Sequence, residues 1–153
     1  MEEVKKRTDN TRCPACGCVG MKLDAKDLLS PDQVQQEMAT LQLSDWRLSE
    51  DGRKLSRSFK CRNFMGCIDF INKAAVICER EDISHHADFL LTKYREIEVA
   101  CYTHATQGLT AADFALARAL EDIEIDYSPS WLKKQGAEGQ DPRTVFRVST
   151  TIA

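Results

Sequence analysis

Residues 79–113, EREDISHHADFLLTKYREIEVACYTHATQGLTAAD, contain all three histidines of the chain: His85, His86 and His104. Imidazole, with an ordinary pKa of about 6.5, is the side chain that gives and takes protons near neutrality. Its concentration here marks a candidate site, set against the plain reading of ordinary surface or loop histidines. The same stretch carries two strands. Phe89, Leu91 and Lys93 share one parity and Leu90, Thr92 and Tyr94 the other, after which Ile97, Val99 and Cys101 alternate with Glu98, Ala100 and Tyr102. Side chains on one face of a strand recur with period two, so Ile97, Val99 and Cys101 are expected on the core face. His104 then shares the opposite parity with Tyr102, at a strand end off the helix-covered face. The histidine pair is expected in the loop before the first strand.

Immediately downstream, Thr110 as cap with Asp113 three residues on reads as a capping box, with Leu109 and Phe114 as the staple. Helix capping is therefore the most economical role for Asp113. Ala115, Leu116, Ala119, Leu120 and Ile123 supply the buried face of that last helix. Upstream, residues 63–80 read as a helix. Phe64, Cys67, Ile68, Ile71, Ala75 and Cys78 form one stripe, widened by Phe70, Ala74 and Ile77 beyond the roughly 100° that packing on a sheet needs. The excess meets either a partner subunit or the other helices of the chain. Trp46 and Leu48, then Leu55, Arg57 and Phe59, alternate around Asp51-Gly52, which predicts a β-hairpin with strands to about Glu50 and from about Arg53 to Lys60. Ser30-Pro31-Asp32-Gln33, flanked by Leu29 and Val34, writes a helix start, and Val34, Met38 and Leu41 carry its apolar face. The element order is α-β-β-α-β-β-α. Each strand has one apolar parity and each helix one apolar stripe, which defines an α+β fold: a four-stranded antiparallel sheet with helices packed on one face.

The 153 residues suit one core, with the domain at 30–126, an N-terminal extension at 1–29 and a C-terminal tail at 127–153. In the extension, Cys13-Pro14-Ala15-Cys16-Gly17-Cys18 resembles one knuckle of a zinc ribbon, but no second pair follows to close a four-ligand site. Cys13, Cys16 and Cys18 are weak metal candidates, with Cys61 as a fourth ligand only if the extension folds back, and the expectation is no metal. The seven cysteines read as free thiols, with Cys67, Cys78 and Cys101 acting as small hydrophobes. From Tyr127 the composition is that of a linker, followed by a possible strand at 144–152. A net charge of −3 gives no global attraction for nucleic acid or an anionic membrane. There is no long apolar run and no basic-then-apolar leader, so the expected compartment is the cytoplasm, with the nucleus as second choice.

The order Glu81, His85-His86, Ala87, Tyr94, His104, Asp113 resembles the signature of the pterin-4a-carbinolamine dehydratases across roughly residues 30–122. Two positions depart from it: Ala87 stands where the family commonly has Pro, Cys or Ser, and Phe89 where it often has Trp. The resemblance implies the same α+β fold and the dehydration of a 4a-hydroxytetrahydropterin to the quinonoid dihydropterin. That step recycles the cofactor of aromatic amino acid hydroxylases and requires no further cofactor. It assigns His85 as leading candidate for the acid at the 4a-oxygen, with His86 assisting or binding, and His104 as base or anchor on the other side of the pterin. Glu81 would orient a histidine or be simply solvated, Phe89 would pack on the ring, and Asp113 would cap or contact the ligand. Homodimers or homotetramers are expected. The alternatives are a non-catalytic dimerisation cofactor for a homeodomain transcription factor, a metal-assisted scaffold, and a three-histidine metal hydrolase, the last disfavoured because adjacent histidines rarely aim at one ion.

Overall fold

The computed structural model describes residues 25–137. Four helices, α1 (Pro31–Thr40), α2 (Phe64–Glu79), α3 (Ala111–Glu121) and α4 (Pro129–Ala137), accompany four strands, β1 (Arg47–Leu48), β2 (Leu55–Lys60), β3 (Asp88–Thr92) and β4 (Glu96–Cys101). All strand pairs are antiparallel, in the order β1-β2-β4-β3. This is the α+β architecture expected. The register aligns Leu55 with Cys101, Arg57 with Val99 and Phe59 with Ile97, and on the other side Phe89 with Val99 and Leu91 with Ile97. These residues form the covered face of the sheet. Ser56, Ser58, Glu98, Asp88 and Leu90 fall on the open one.

The helix starts follow from their caps. Ser30 Oγ accepts from Gln33 N–H (3.3 Å) while Gln33 Oε1 accepts from Ser30 N–H (2.8 Å), and Asn63 Oδ1 accepts from Gly66 N–H (2.9 Å) at the head of α2. On α2, Cys67, Phe70, Ala74 and Cys78 are buried, whereas Phe64, Met65 and Val76 are exposed. Of the residues that widened the expected stripe, Phe70 and Ala74 are thus in the core, and the exposed large apolar side chains of the helix are Phe64, which belonged to the stripe, and Met65 and Val76, which did not. Phe70, one of the residues that widened the stripe, is a core residue meeting Phe59 edge-on at 4.8 Å.

Two segments differ from the expectation. The first hairpin is short: β1 has two residues, and Ser49 N–H donates to Lys54 O across a loop running from Glu50 to Arg53. Ser49 Oγ and Asp51 Oδ1 accept from Arg53 N–H (3.2 and 3.1 Å), and Ser49 Oγ also accepts from Lys54 N–H (3.0 Å). Those side chains stand in for strand pairing, and the Ser49 hydroxyl with the Arg53 amide lowers the Asp51 pKa. Gly52, at φ +70°, takes the left-handed conformation that glycine adopts without strain.

The second difference is the segment after residue 126, which is ordered structure as far as Ala137 rather than linker. Because β1 begins only at Arg47, opposite Ser56, the far half of β2 has a free edge. Arg62 N–H donates to Asp126 O and Ser128 N–H to Lys60 O, both at 2.8 Å. Tyr127 then meets Phe59, and Trp131 of α4 stacks on Tyr127 at 5.0 Å and 10°. Trp131, Ser130 and Lys134 overhang the open face, bounding a cleft of about 370 Å³ with Ser58, Leu90 and Glu98. Arg57, buried on the covered face, bonds Glu121 of α3 (2.9 Å) and the Tyr127 hydroxyl (2.7 Å). A buried cation is tolerable only when so paired. The residues outside 25–137, including Cys13, Cys16, Cys18 and the 144–152 run, lie outside the described residues. Cys61 is fully buried, and burial, then the neighbouring Cys67 thiol, push its pKa up to about 12.

Truncating Phe70 to Ala should cost about 3–5 kcal/mol of unfolding free energy, the range for a buried phenylalanine, read as a lower urea midpoint.

Candidate active site

His85 and His86 are neighbours in the chain with opposite surroundings. His85 is fully buried: its Nε2 meets Asp113 Oδ1 at 2.5 Å, and its Nδ1 has no hydrogen-bond partner. Asp113 is equally buried, and Oδ2 accepts from Thr103 Oγ1 (2.8 Å) and from Thr110 N–H (2.9 Å). The Thr103 and Thr110 hydroxyls bond each other at 2.9 Å. Asp113 therefore caps α3, as its spacing indicated, and also fastens the histidine loop and the end of β4 to that helix. With both oxygens occupied and no exposure, it lies beneath the site rather than lining it. Its charge is second to burial in pushing the Cys101 thiol well above the ordinary range.

His86 and His104 are the accessible imidazoles, each with about 39% of its side chain exposed. His86 Nε2 meets Glu79 Oε1, on the last turn of α2, at 2.7 Å. His104 Nε2 lies 3.4 Å from Asp88 Oδ1, on the first residue of β3. Asp88 pairs in register with Ala100, so it shares the open-face parity that runs through Tyr102 to His104. The Tyr102 ring lies 4.3 Å from the His104 ring. Desolvation, then the hydrogen bond and charge of Asp88, raise the Tyr102 pKa, which keeps the phenol protonated at neutral pH. Lys54 Nζ sits 4.5 Å from the centre of the same ring. The loop after His104 is held by Gln107 Nε2 donating to His104 O (2.7 Å) and by Thr103 N–H donating to Gly108 O (2.9 Å). Gly108 lies against the Leu28 side chain, whose Cδ2 would be 2.7 Å from an added Cβ.

Not every residue singled out in the sequence gathers here. Glu81 is exposed in the turn after α2, and the carboxylate on His86 belongs to Glu79, one helical turn's reach back from the loop. Phe89 packs on the covered face, edge-on to Phe70 at 6.3 Å, because its register partner is Val99. Tyr94 sits with Lys93 in the β3–β4 turn, both at positive φ, at the opposite end of those strands from His104. Glu79, Asp88, Tyr102 and Lys54 were missed. Strand parity pointed to Tyr102 and Asp88; the other two depend on the tertiary fold.

The two accessible imidazoles are engaged by different carboxylates, His86 by Glu79 and His104 by Asp88. The family described as Pterin 4 alpha carbinolamine dehydratase matches residues 27–123, and the chain belongs to it. It is 39% identical over 92 residues to a protein of Halorhodospira halophila provisionally named a pterin-4-alpha-carbinolamine dehydratase, covering 60% of this chain and 82% of that one. It is 30% identical over 105 residues to the mitochondrial pterin-4-alpha-carbinolamine dehydratase 2 of Arabidopsis thaliana, covering 67% of this chain and 55% of that one. Among solved structures, a transcriptional coactivator/pterin dehydratase from Brucella melitensis superposes with a TM-score of 0.52 at 26% identity, over 61% of this chain and 94% of its own.

Replacing Asp113 by Ala should destabilise the fold by about 3 kcal/mol, since it strands His85 Nε2, Thr103 Oγ1 and the Thr110 amide in the interior. Chemical denaturation measures this, and Asp113→Asn should recover part of the loss.

Proposed function

We propose that this protein dehydrates a 4a-hydroxytetrahydropterin to the quinonoid dihydropterin, a step that returns the cofactor of aromatic amino acid hydroxylases to use. The observation that carries the reading is the presence of two half-exposed imidazoles, each held by a carboxylate: His86 by Glu79 and His104 by Asp88. The elimination needs one proton delivered to the 4a-hydroxyl as the C4a–O bond breaks, and one removed from N5–H as the C4a–N5 double bond forms. The products are water and the dihydropterin, so no electrons enter or leave. Imidazoles titrate near the working pH and suit both transfers.

His86 and His104 carry these transfers in this reading, and His85 supports them. Its buried Nε2 is committed to Asp113, which favours a role in holding the loop over the acid role that the signature suggested. Replacing His86 or His104 by Ala should each lower kcat/KM by about 10²- to 10⁴-fold with the thermal midpoint nearly unchanged. His85→Ala should lose stability as well, because it leaves the Asp113 carboxylate unpaired in the interior. Turnover with freshly generated 4a-hydroxytetrahydropterin, followed spectroscopically, is the assay. Wild-type turnover in both the His86 and His104 variants would sink the assignment.

We further infer self-association through α2, supported by the exposed Phe64, Met65 and Val76 on one helix. Met65→Glu with Val76→Glu should shift the protein toward monomer in light scattering while preserving the fold. A dimerisation cofactor would use the same face but would keep its partner when the histidines are replaced.

A further inference from the structure

The neighbourhood of His104 contains a cation that the elimination does not use. Lys54 is exposed and immediately precedes β2, whose first residue, Leu55, is paired with Cys101. Its backbone is fixed by the hairpin loop: its N–H donates to Ser49 Oγ at 3.0 Å and its carbonyl accepts from Ser49 N–H at 2.9 Å. Its ammonium is held over the Tyr102 ring at 4.5 Å, and that ring in turn touches the His104 ring at 4.3 Å. Other lysines near strand ends, Lys60 and Lys93, are paired with Glu96. Among the described residues, no carboxylate forms an ion pair with Lys54. Asp88, the acidic group beside His104, lies 3.4 Å from its Nε2.

An ammonium packed on an aromatic face keeps the N–H donors on its outer side for another acceptor, and the ring limits the directions they can take. In a pterin, the side chain at C6 is attached one atom beyond N5, on the edge that includes C4a. If His104 addresses that edge, a C6 substituent projects toward the neighbours of His104, namely Tyr102 and then Lys54.

We propose that Lys54, positioned by Tyr102, selects pterins whose C6 side chain carries an anionic group, a phosphate or a carboxylate, by pairing with that group during turnover. The proposal rests on the dehydratase reading above and specifies its substrate class. Lys54 is a specificity residue and takes no part in the proton transfers.

The experiment compares kcat/KM of the full chain for three 4a-hydroxytetrahydropterins. One bears a neutral dihydroxypropyl side chain, one the phosphate ester of that side chain, and one a side chain ending in a carboxylate. Wild type should prefer one or both anionic substrates, and the phosphate and carboxylate arms identify which anion. Lys54→Met keeps the aliphatic stem and should lower the anionic-to-neutral ratio about five- to tenfold, chiefly through KM, the scale of one partly exposed charge-assisted contact. Lys54→Arg should restore most of the ratio, and added salt should lower it in wild type but not in Lys54→Met. A wild type that does not prefer either anion, or a preference that Lys54→Met leaves intact, overturns the proposal while the dehydratase reading stands. Failure to turn over all three substrates overturns both.

Discussion

A carboxylate with no solvent contact has to find its hydrogen bonds inside the protein, and in this chain the partners of Asp113 come from three places. His85 belongs to the loop after α2, Thr103 to the end of β4, and Thr110 to the head of α3. The three are far apart in sequence or on different elements, so satisfying one side chain draws the site together. The arrangement also explains the use of two adjacent histidines. Turning His85 inward to Asp113 anchors the loop, and His86 is then left at the surface, within reach of Glu79. The inner imidazole costs desolvation, which the carboxylate offsets. The outer one stays accessible to a substrate.

How much of this could be read in advance depended on the range of each interaction. Spacing along the chain located the histidines, the Thr110–Asp113 cap and the parity that puts His104 with Tyr102. The sharing of Asp113 between cap and His85 was not legible, because the two residues are 28 positions apart and a capping box explains an acid at that position by itself. The sequence pointed to Glu81 as the partner of a histidine, and in the structure the carboxylate on His86 is that of Glu79. The choice fell to Glu79 because it is on the final turn of a helix whose end faces the returning loop, whereas Glu81 is already in the turn.

The misread boundaries have a related cause. Ser30-Pro31 and Ser128-Pro129 are the same pair of signals, a capping hydroxyl followed by a proline suited to the first helical position. The first is followed by Val34, Met38 and Leu41 and announced a helix. The second is followed by Trp131 and Leu132 and then polar residues, so periodicity offered no support. What orders α4 is tertiary: Tyr127 on Phe59, Trp131 on Tyr127, and two backbone hydrogen bonds to the free edge of β2. That edge exists because β1 begins only at Arg47, opposite Ser56, and so does not reach the far half of β2.

The placement of aromatic rings carries the same logic into the site. A flat heterocycle needs an apolar surface as well as proton donors and acceptors. Phe89 has the right sequence distance from the histidine pair, but its register with Val99 commits it to the covered face, where it closes the core against Phe70. Moving it to the open face would shift β3 by one residue and expose Leu91 with it, since every side chain of a strand changes face together. The aromatic ring beside His104 is instead that of Tyr102, which shares its parity just past the end of β4. Tyr102 and His104 thus lie on one backbone segment just past β4, and the pairing of β3 with β4 brings Asp88 to His104.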